Sequence, residues 1–156
     1  MPKLDLSKVS VKTGSIYPEP YAAMMQGRSS MRLGEAGGLT QYGVNLVTLQ
    51  AGALSSLRHW HLNEDEFVMV IDGACVLVED QGETSMGAGD CAAFPADSGN
   101  GHHFINRSDA PARFLVIGTK APREVATYSD VDMKVTMERG KAVFTHKNGS
   151  DWKGPR

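Results

Sequence analysis

The chain has 156 residues, of which 41% are hydrophobic and 22% are charged, and this length and composition predict one globular domain. Sixteen Lys and Arg residues against eighteen Asp and Glu give a formal net charge of -2, which excludes the strongly basic face of a nucleic-acid-binding protein. No apolar run reaches the ~18 residues of a membrane span, and two cysteines with no secretory signal favour a cytoplasmic protein.

Residues 1–41 predict an irregular N-terminal arm that lies across a surface and contains at most one short strand. The prolines within residues 16–21 are incompatible with a helix there. Gly34, Gly37 and Gly38 then indicate a loop. We therefore expect the main core to begin after this arm.

Residues 42–120 predict an all-β core. The pattern gives strands over residues 44–49, 66–71, 74–78, 84–86, 91–94, 102–106 and 113–118. Many short strands with turn signals every 8–12 residues, and little helical periodicity, favour a sandwich or barrel. The pair Asp72-Gly73 predicts a hairpin turn between the second and third strands. Residues 67–71 are apolar on both faces, so we expect a further layer to cover them outside.

Residues 121–156 predict an appended hairpin and a frayed tail. Residues 133–137 and 142–145 have the composition of strands, and the tetrad Glu138-Arg139-Gly140-Lys141 between them is typical of a turn. The tail begins at Asp151. The three segments are expected to form one structural domain.

Four side chains form a candidate metal site. In a strand, residues two apart point to the same face, so His59 and His61 project together and Trp60 projects to the other side. Glu66 begins the next strand, and His102 lies on a different one. Three imidazoles and one carboxylate suit one divalent transition metal (Fe, Mn, Ni, Co or Zn) with open coordination positions. The alternative is a set of partly buried, hydrogen-bonded histidines.

Two runs of the sequence resemble the signatures of the cupin superfamily. The first is Gly52…His59-Trp60-His61…Glu66…Gly73. The second is Gly89-Asp90-Cys91-Ala92-Ala93-Phe94-Pro95…His102…Asn106. The resemblance implies a double-stranded β-helix, or jelly-roll barrel, and His59, His61, Glu66 and His102 as metal ligands. Motif spacing favours Glu66 over Glu64 and His102 over the adjacent His103.

The resemblance also implies a metal-dependent enzyme that acts on a small polar molecule, carboxylate or polyol, with Glu66 both as ligand and as proton acceptor. Oxygenase chemistry and isomerase, lyase or decarboxylase chemistry stay open. The alternative is a non-catalytic binding or sensor module. Small cupins of this type are often labelled mannose-6-phosphate isomerase-like, a label that rests on the fold.

A phosphosugar needs a cluster of basic side chains, and the sequence shows none clearly. Arg28, Arg32 and Arg58 are candidates for binding an anionic substrate, but each is more readily interpreted as solvated or ion-paired. An exposed sheet edge tends to be covered, and small cupins resemble proteins that pair by exchanging N-terminal strands. We therefore expect a homodimer.

Overall fold

The computed structural model describes residues 3–155, and Met1, Pro2 and Arg156 of the predicted arm and tail lie outside it. The described residues form thirteen strands, one short α-helix and two 3-10 turns. The strands are β1 (Val11–Thr13), β2 (Arg28–Arg32), β3 (Tyr42–Leu49), β4 (His59–His61), β5 (Glu66–Asp72), β6 (Ala74–Glu79), β7 (Gly82–Gly87), β8 (Cys91–Phe94), β9 (His103–Ile105), β10 (Ala112–Thr119), β11 (Arg123–Tyr128), β12 (Lys134–Glu138) and β13 (Lys141–Thr145). The helix is α1 (Leu33–Ala36), and the 3-10 turns are Leu6–Lys8 and Tyr21–Met25. Within this part of the chain, no helix is long and apolar enough to cross a bilayer.

The strands build three antiparallel sheets. The largest has the order β1-β2-β3-β10-β5-β8, the second has the order β13-β12-β11-β4, and the third has the order β7-β6-β9. This arrangement confirms the predicted all-β barrel. The strands expected from the sequence over residues 44–118 are all present.

The main core lies between the six-stranded and the three-stranded sheets. On β5, Val68 and Val70 are fully buried, and β10 adds the buried Phe114. The alternate residues of β5 point outwards, and Phe67 and Met69 are 39% and 37% exposed. Glu66 shares the inward face of β5 by parity, so its carboxylate is directed into the barrel. The outward apolar face is not covered by the described residues.

The N-terminal arm is more regular than the sequence predicts. Strand β2 pairs with β3 over five residues, and β1 pairs with β2, so the arm extends the six-stranded sheet of its own chain. Met25 is 1% exposed and belongs to a second buried cluster under the four-stranded sheet. The sequence of β2 is Arg-Ser-Ser-Met-Arg, which lacks the apolar alternation of a strand because its inner face is polar.

The hairpin predicted at Asp72-Gly73 is wrong. Strand β5 pairs with β10 and β8, whereas β6 pairs with β7 and β9, so the chain turns a corner between two sheets at Gly73. Gly73 has a φ of +74°, and a Cβ added there would lie 2.5 Å from the carbonyl oxygen of Pro111. The backbones approach so closely at this corner that only glycine fits.

The C-terminal hairpin is confirmed. Strands β12 and β13 pair from Lys134↔Thr145 to Glu138↔Lys141, with the tight turn at residues 138–141. The tail is better packed than expected, since the ring of Trp152 lies 5.8 Å from that of Tyr21 and 5.0 Å from that of His146.

Candidate metal centre

Strand β4 brings His59 and His61 to one face, as their spacing predicts. Their Nε2 atoms are 3.2 Å apart, and the two rings are nearly perpendicular, with an interplanar angle of 81°. Strand β4 pairs with β11, where His61 lies opposite Ala126 and His59 opposite Tyr128. Both imidazoles therefore point into the space enclosed by the barrel.

Glu66 and His102 approach the same point from other strands. Glu66 Oε2 lies 3.3 Å from His61 Nε2, and Glu66 Oε1 lies 3.6 Å from His102 Nε2. The backbones of His59 and His102 exchange two hydrogen bonds, of 3.1 and 2.9 Å, which bring their rings to 5.2 Å. Ligand atoms of His59, His61 and Glu66 all lie within 4.8 Å of one another. The structure thus brings together all four residues of the predicted ligand set.

The surroundings orient each ring. Nδ1 of His59 lies 2.8 Å from the carbonyl oxygen of Leu57, a contact that places the proton on Nδ1 and leaves the Nε2 lone pair facing the centre. The ring of His102 stacks on the ring of Phe94, with 3.5 Å between the ring centroids and an interplanar angle of 4°. These contacts restrict the ring orientations before any ligand binds.

Glu124 supports His61 and was missed by the sequence analysis. Its Oε1 lies 3.6 Å from His61 Nδ1, and the backbone amides of Leu62 and Asn63 donate to its two carboxylate oxygens at 2.8 and 2.9 Å. Glu124 is 3% exposed. A carboxylate behind a histidine is typical of metal centres because it orients the ring and raises its basicity. The sequence offers no clear signal for this role, because the strand also carries Arg123 and Thr127.

The donor set fits a divalent transition metal. Both ring nitrogens of His102 are buried without a hydrogen-bond partner, and unpartnered buried polar groups are rare in proteins. The imidazoles of His61 and His102 lie 3.3 and 3.6 Å from the carboxylate oxygens of Glu66. An ion held by these four side chains would use His102 Nε2 and the free carboxylate oxygens of Glu66, and three nitrogens with one carboxylate is a set that first-row metals accept.

The two competitors are placed differently. His103 turns away, with its Nδ1 3.0 Å from the carbonyl oxygen of Ser56. Glu64 groups with His61 and Glu124 on the far side of the His61 ring. One oxygen of Glu64 accepts a hydrogen bond from the amide of Ala121 at 2.8 Å, and both oxygens of Glu124 are engaged by amides. These carboxylates are less available as ligands than that of Glu66.

The charges at the centre are strongly coupled. Burial, followed by the like charges of His61 and His102, lowers the pKa of His59 to about 3. Burial opposes ionisation of Glu66, but contacts with His102 and His61 outweigh it and lower the pKa of that carboxyl. Burial also opposes the charge of His61, yet Glu66 and Glu124 raise its pKa above the ordinary value. The resting site therefore has an ionised Glu66 and a neutral His59.

The centre opens into a cavity of about 480 Å³, a size typical of small-molecule sites. His59, His61, Glu64 and Glu124 line one part of it. The N-terminal arm lines another part, with Lys12, Tyr17, Arg28, Ser30 and Arg32. The sequence showed no clear basic cluster, but Arg28 and Arg32 share one face of β2, and pairing of β1 with β2 brings Lys12 to the same cavity. Arg32 and Arg58 are ion-paired, as the sequence suggested, Arg32 with Glu35 and Arg58 with Asp80 and Asp130.

The family model of the cupin domain matches residues 45–118. A protein from Silicibacter pomeroyi, described as a sugar phosphate isomerase from a cupin superfamily, has 59% sequence identity to this chain, and the match covers 98% of each chain. Its crystal structure superimposes on this one with a TM-score of 0.96. This chain belongs to the cupin superfamily. The matched segment holds all four proposed ligands, whereas Lys12, Arg28 and Arg32 lie before it.

Less similar proteins of known structure share the fold. A protein from Acidithiobacillus ferrooxidans is 26% identical over 83% of this chain and 81% of its own, with a TM-score of 0.73. The polyketide cyclase RemF from Streptomyces resistomycificus is 20% identical over 76% of this cupin and 79% of its own chain, with a TM-score of 0.61. No curated protein matches the chain. The range of activities on this barrel means that the fold alone does not specify the reaction.

Proposed function

We propose that this cupin is a metal-dependent enzyme that isomerises a small phosphorylated sugar. The observation that carries the proposal is the convergence of His59, His61, Glu66 and His102 on one point beside a cavity that also contains basic side chains. The 59% identity to a protein named as a sugar phosphate isomerase supports the substrate class.

The proposed chemistry divides between the metal and the side chains. A divalent ion in such a site acts as a Lewis acid on a carbonyl or hydroxyl oxygen. His59, His61, Glu66 and His102 would hold this ion. We propose that Glu66 also accepts the proton that an aldose–ketose interconversion removes from carbon. The stacked Phe94 excludes water from one side of His102. We propose Fe, Mn, Ni, Co or Zn as the metal, one per chain.

The metal-binding step is tested by elemental analysis of protein purified without a metal-affinity tag. We expect the wild type to carry a first-row metal and His59→Ala and Glu66→Ala to lose it, because each variant removes one of four donors. The matched control is His103→Gln, which removes an adjacent imidazole that faces Ser56. A wild type free of metal, or a Glu66→Ala variant that retains it, would contradict the proposal.

The reaction is tested by following interconversion of aldose and ketose phosphates by NMR. Turnover should stop on chelation and return on addition of the metal found in the purified protein. If the protein consumes oxygen with small carboxylates or diols and does not interconvert the sugar phosphates, it is instead an oxygenase. Stabilisation by a ligand without turnover would support the sensor alternative.

A further inference from the structure

Three cations lie on one face of the arm. Residues two apart on a strand share a face, so Arg28, Ser30 and Arg32 of β2 all point the same way. Lys12 of β1 lies opposite Ser30, and Arg32 lies opposite Asn45 of β3. All five residues line the cavity that His59 and His61 also line. The arm therefore presents a continuous basic surface to any molecule in that cavity.

Arg28 is partly buried and has no ion-pair partner among the described residues. Its Nε is buried without a hydrogen-bond acceptor, and no carboxylate among the described residues forms an ion pair with it. Arg32, in contrast, pairs with Glu35 at 3.3 Å, and more than half of each of these side chains is exposed. A cation that is partly withdrawn from water normally requires a partner of opposite charge. Its partner is therefore expected among the molecules that enter the cavity.

The charge of Arg28 is consistent with an anionic partner in the cavity. Burial lowers the pKa of Arg28, with the like charge of Arg32 acting in the same direction. Arginine nevertheless stays protonated at neutral pH, so Arg28 remains a cation. The planar guanidinium is the side chain best suited to bind phosphate through two parallel hydrogen bonds.

Aromatic side chains connect Arg28 to the metal centre. The ring of Tyr17 lies 5.4 Å from that of Tyr128, and Tyr128 lies 5.9 Å from His59. Tyr17, Tyr128 and Arg28 line the same cavity as His59. A small molecule that fills this cavity would contact the two tyrosine rings as well as the histidines and the guanidinium.

We propose that Arg28 binds the phosphate group of the substrate, with Lys12 and Arg32 assisting at the more exposed side. This assignment rests on the proposed function, since it names the residue that recognises the phosphorylated end of the molecule. It also gives the arm a role: β1 and β2 supply the substrate-specific residues, while the segment matched by the cupin family supplies the metal ligands.

The test is calorimetric titration of the full-length protein, as purified, with inorganic phosphate. We expect Arg28→Gln to weaken phosphate binding by ~10-fold or more, since charged hydrogen bonds are lost. Arg28→Lys should restore part of the affinity because it keeps the charge without the planar fork. The matched control is Arg113→Gln, which removes an arginine paired with Asp72 on the outside of the barrel, and its affinity should equal that of the wild type. Unchanged phosphate affinity in Arg28→Gln would overturn the proposal.

Lys12→Gln serves as a second variant, because Lys12 is exposed and its replacement does not endanger folding. It should weaken phosphate binding by about two- to fivefold. If neither Arg28→Lys nor Lys12→Gln changes the affinity, the assignment is also overturned. Acetate is the comparison anion: binding of acetate as tight as that of phosphate would refute recognition of phosphate.

Metal content, measured on the same samples, separates the two proposals. Variants of the arm should retain the metal of the wild type. A protein that binds phosphate through Arg28 but carries no metal would refute the proposed function alone. A metal-loaded isomerase whose phosphate affinity is insensitive to Arg28 would refute only the role of Arg28.

Discussion

Glu124, which is not one of the four proposed ligands, adds to the effect of Glu66 on the proton balance of His61. A metal ion binds only the neutral imidazole, so any proton on the ring competes with the metal. Glu66 and Glu124 raise the pKa of His61, and the ring therefore keeps its proton at a pH where an ordinary histidine has lost it. His59 does not compete in this way above mildly acidic pH, because its pKa is lowered to about 3.

We expect metal affinity to increase with pH through the titration of His61 and to fall as the solution becomes more acidic. Glu124→Gln removes one of the charges that hold the proton, so the midpoint of this profile should move to lower pH. The same change should weaken binding at the upper plateau by about 10–100-fold. Competition with a chromophoric chelator across pH measures both quantities.

The control for this experiment is Glu138→Gln, an exposed acidic residue of the C-terminal hairpin. Its profile should coincide with that of the wild type. A Glu124→Gln midpoint equal to or above the wild-type midpoint would show that Glu124 does not act on His61.

At the scale of the elements, the placement of β5 and β6 in different sheets depends on the corner at Gly73. Gly73 and Gly140 have nearly the same φ, +74° and +75°, but a Cβ at Gly140 meets nothing within 4 Å, whereas at Gly73 it meets backbone atoms at 2.5 and 2.9 Å. Alanine at either position destabilises the fold, because a residue with a Cβ disfavours the left-handed conformation. We expect Gly73→Ala to lower the free energy of unfolding by about 1–3 kcal/mol more than Gly140→Ala, measured by urea denaturation. Equal losses would mean that the corner relaxes freely.

The same elements show which parts of the fold could be predicted from sequence. The core strands follow apolar alternation, and the ligand spacing of His59, His61 and Glu66 follows strand parity. Strand β2 could not be recognised, because its inner face carries Arg28 and Arg32 in place of apolar residues. The turn at Gly73 was identified, but pairing across it depends on strands that are distant in sequence. The sequence shows Lys12, Arg28 and Arg32 as separate basic residues. Their common position at one cavity depends on the pairing of β1 with β2, which the sequence does not reveal.

At the scale of the whole molecule, the outer face of the six-stranded sheet remains exposed. Phe67, Met69 and Ile71 are 39%, 37% and 42% exposed, and Leu115 lies beside Met69 on the neighbouring strand. Apolar surface of this kind usually marks an interaction site. The homodimer expected from the sequence stays a prediction, and we expect the second copy to bind at this apolar face.

Sedimentation velocity tests the association. The wild type should sediment as a dimer, and Met69→Glu should shift it towards monomer by placing a charge on the apolar face. Val143→Glu is the control, because Val143 is 56% exposed on the C-terminal hairpin, away from this sheet. A wild type that sediments as a monomer would refute the dimer.

The arrangement of charge in the cavity has a consequence for how molecules enter it. Carboxylates and imidazoles line one part of the cavity, and the basic side chains of Lys12, Arg28 and Arg32 line another, so we expect an electric field along the pocket. Fields of this kind act over several ångströms and bias orientation before contact. A solute with a single anionic terminus would rotate into one alignment on approach, so unproductive head-to-tail encounters would be rejected at the entrance.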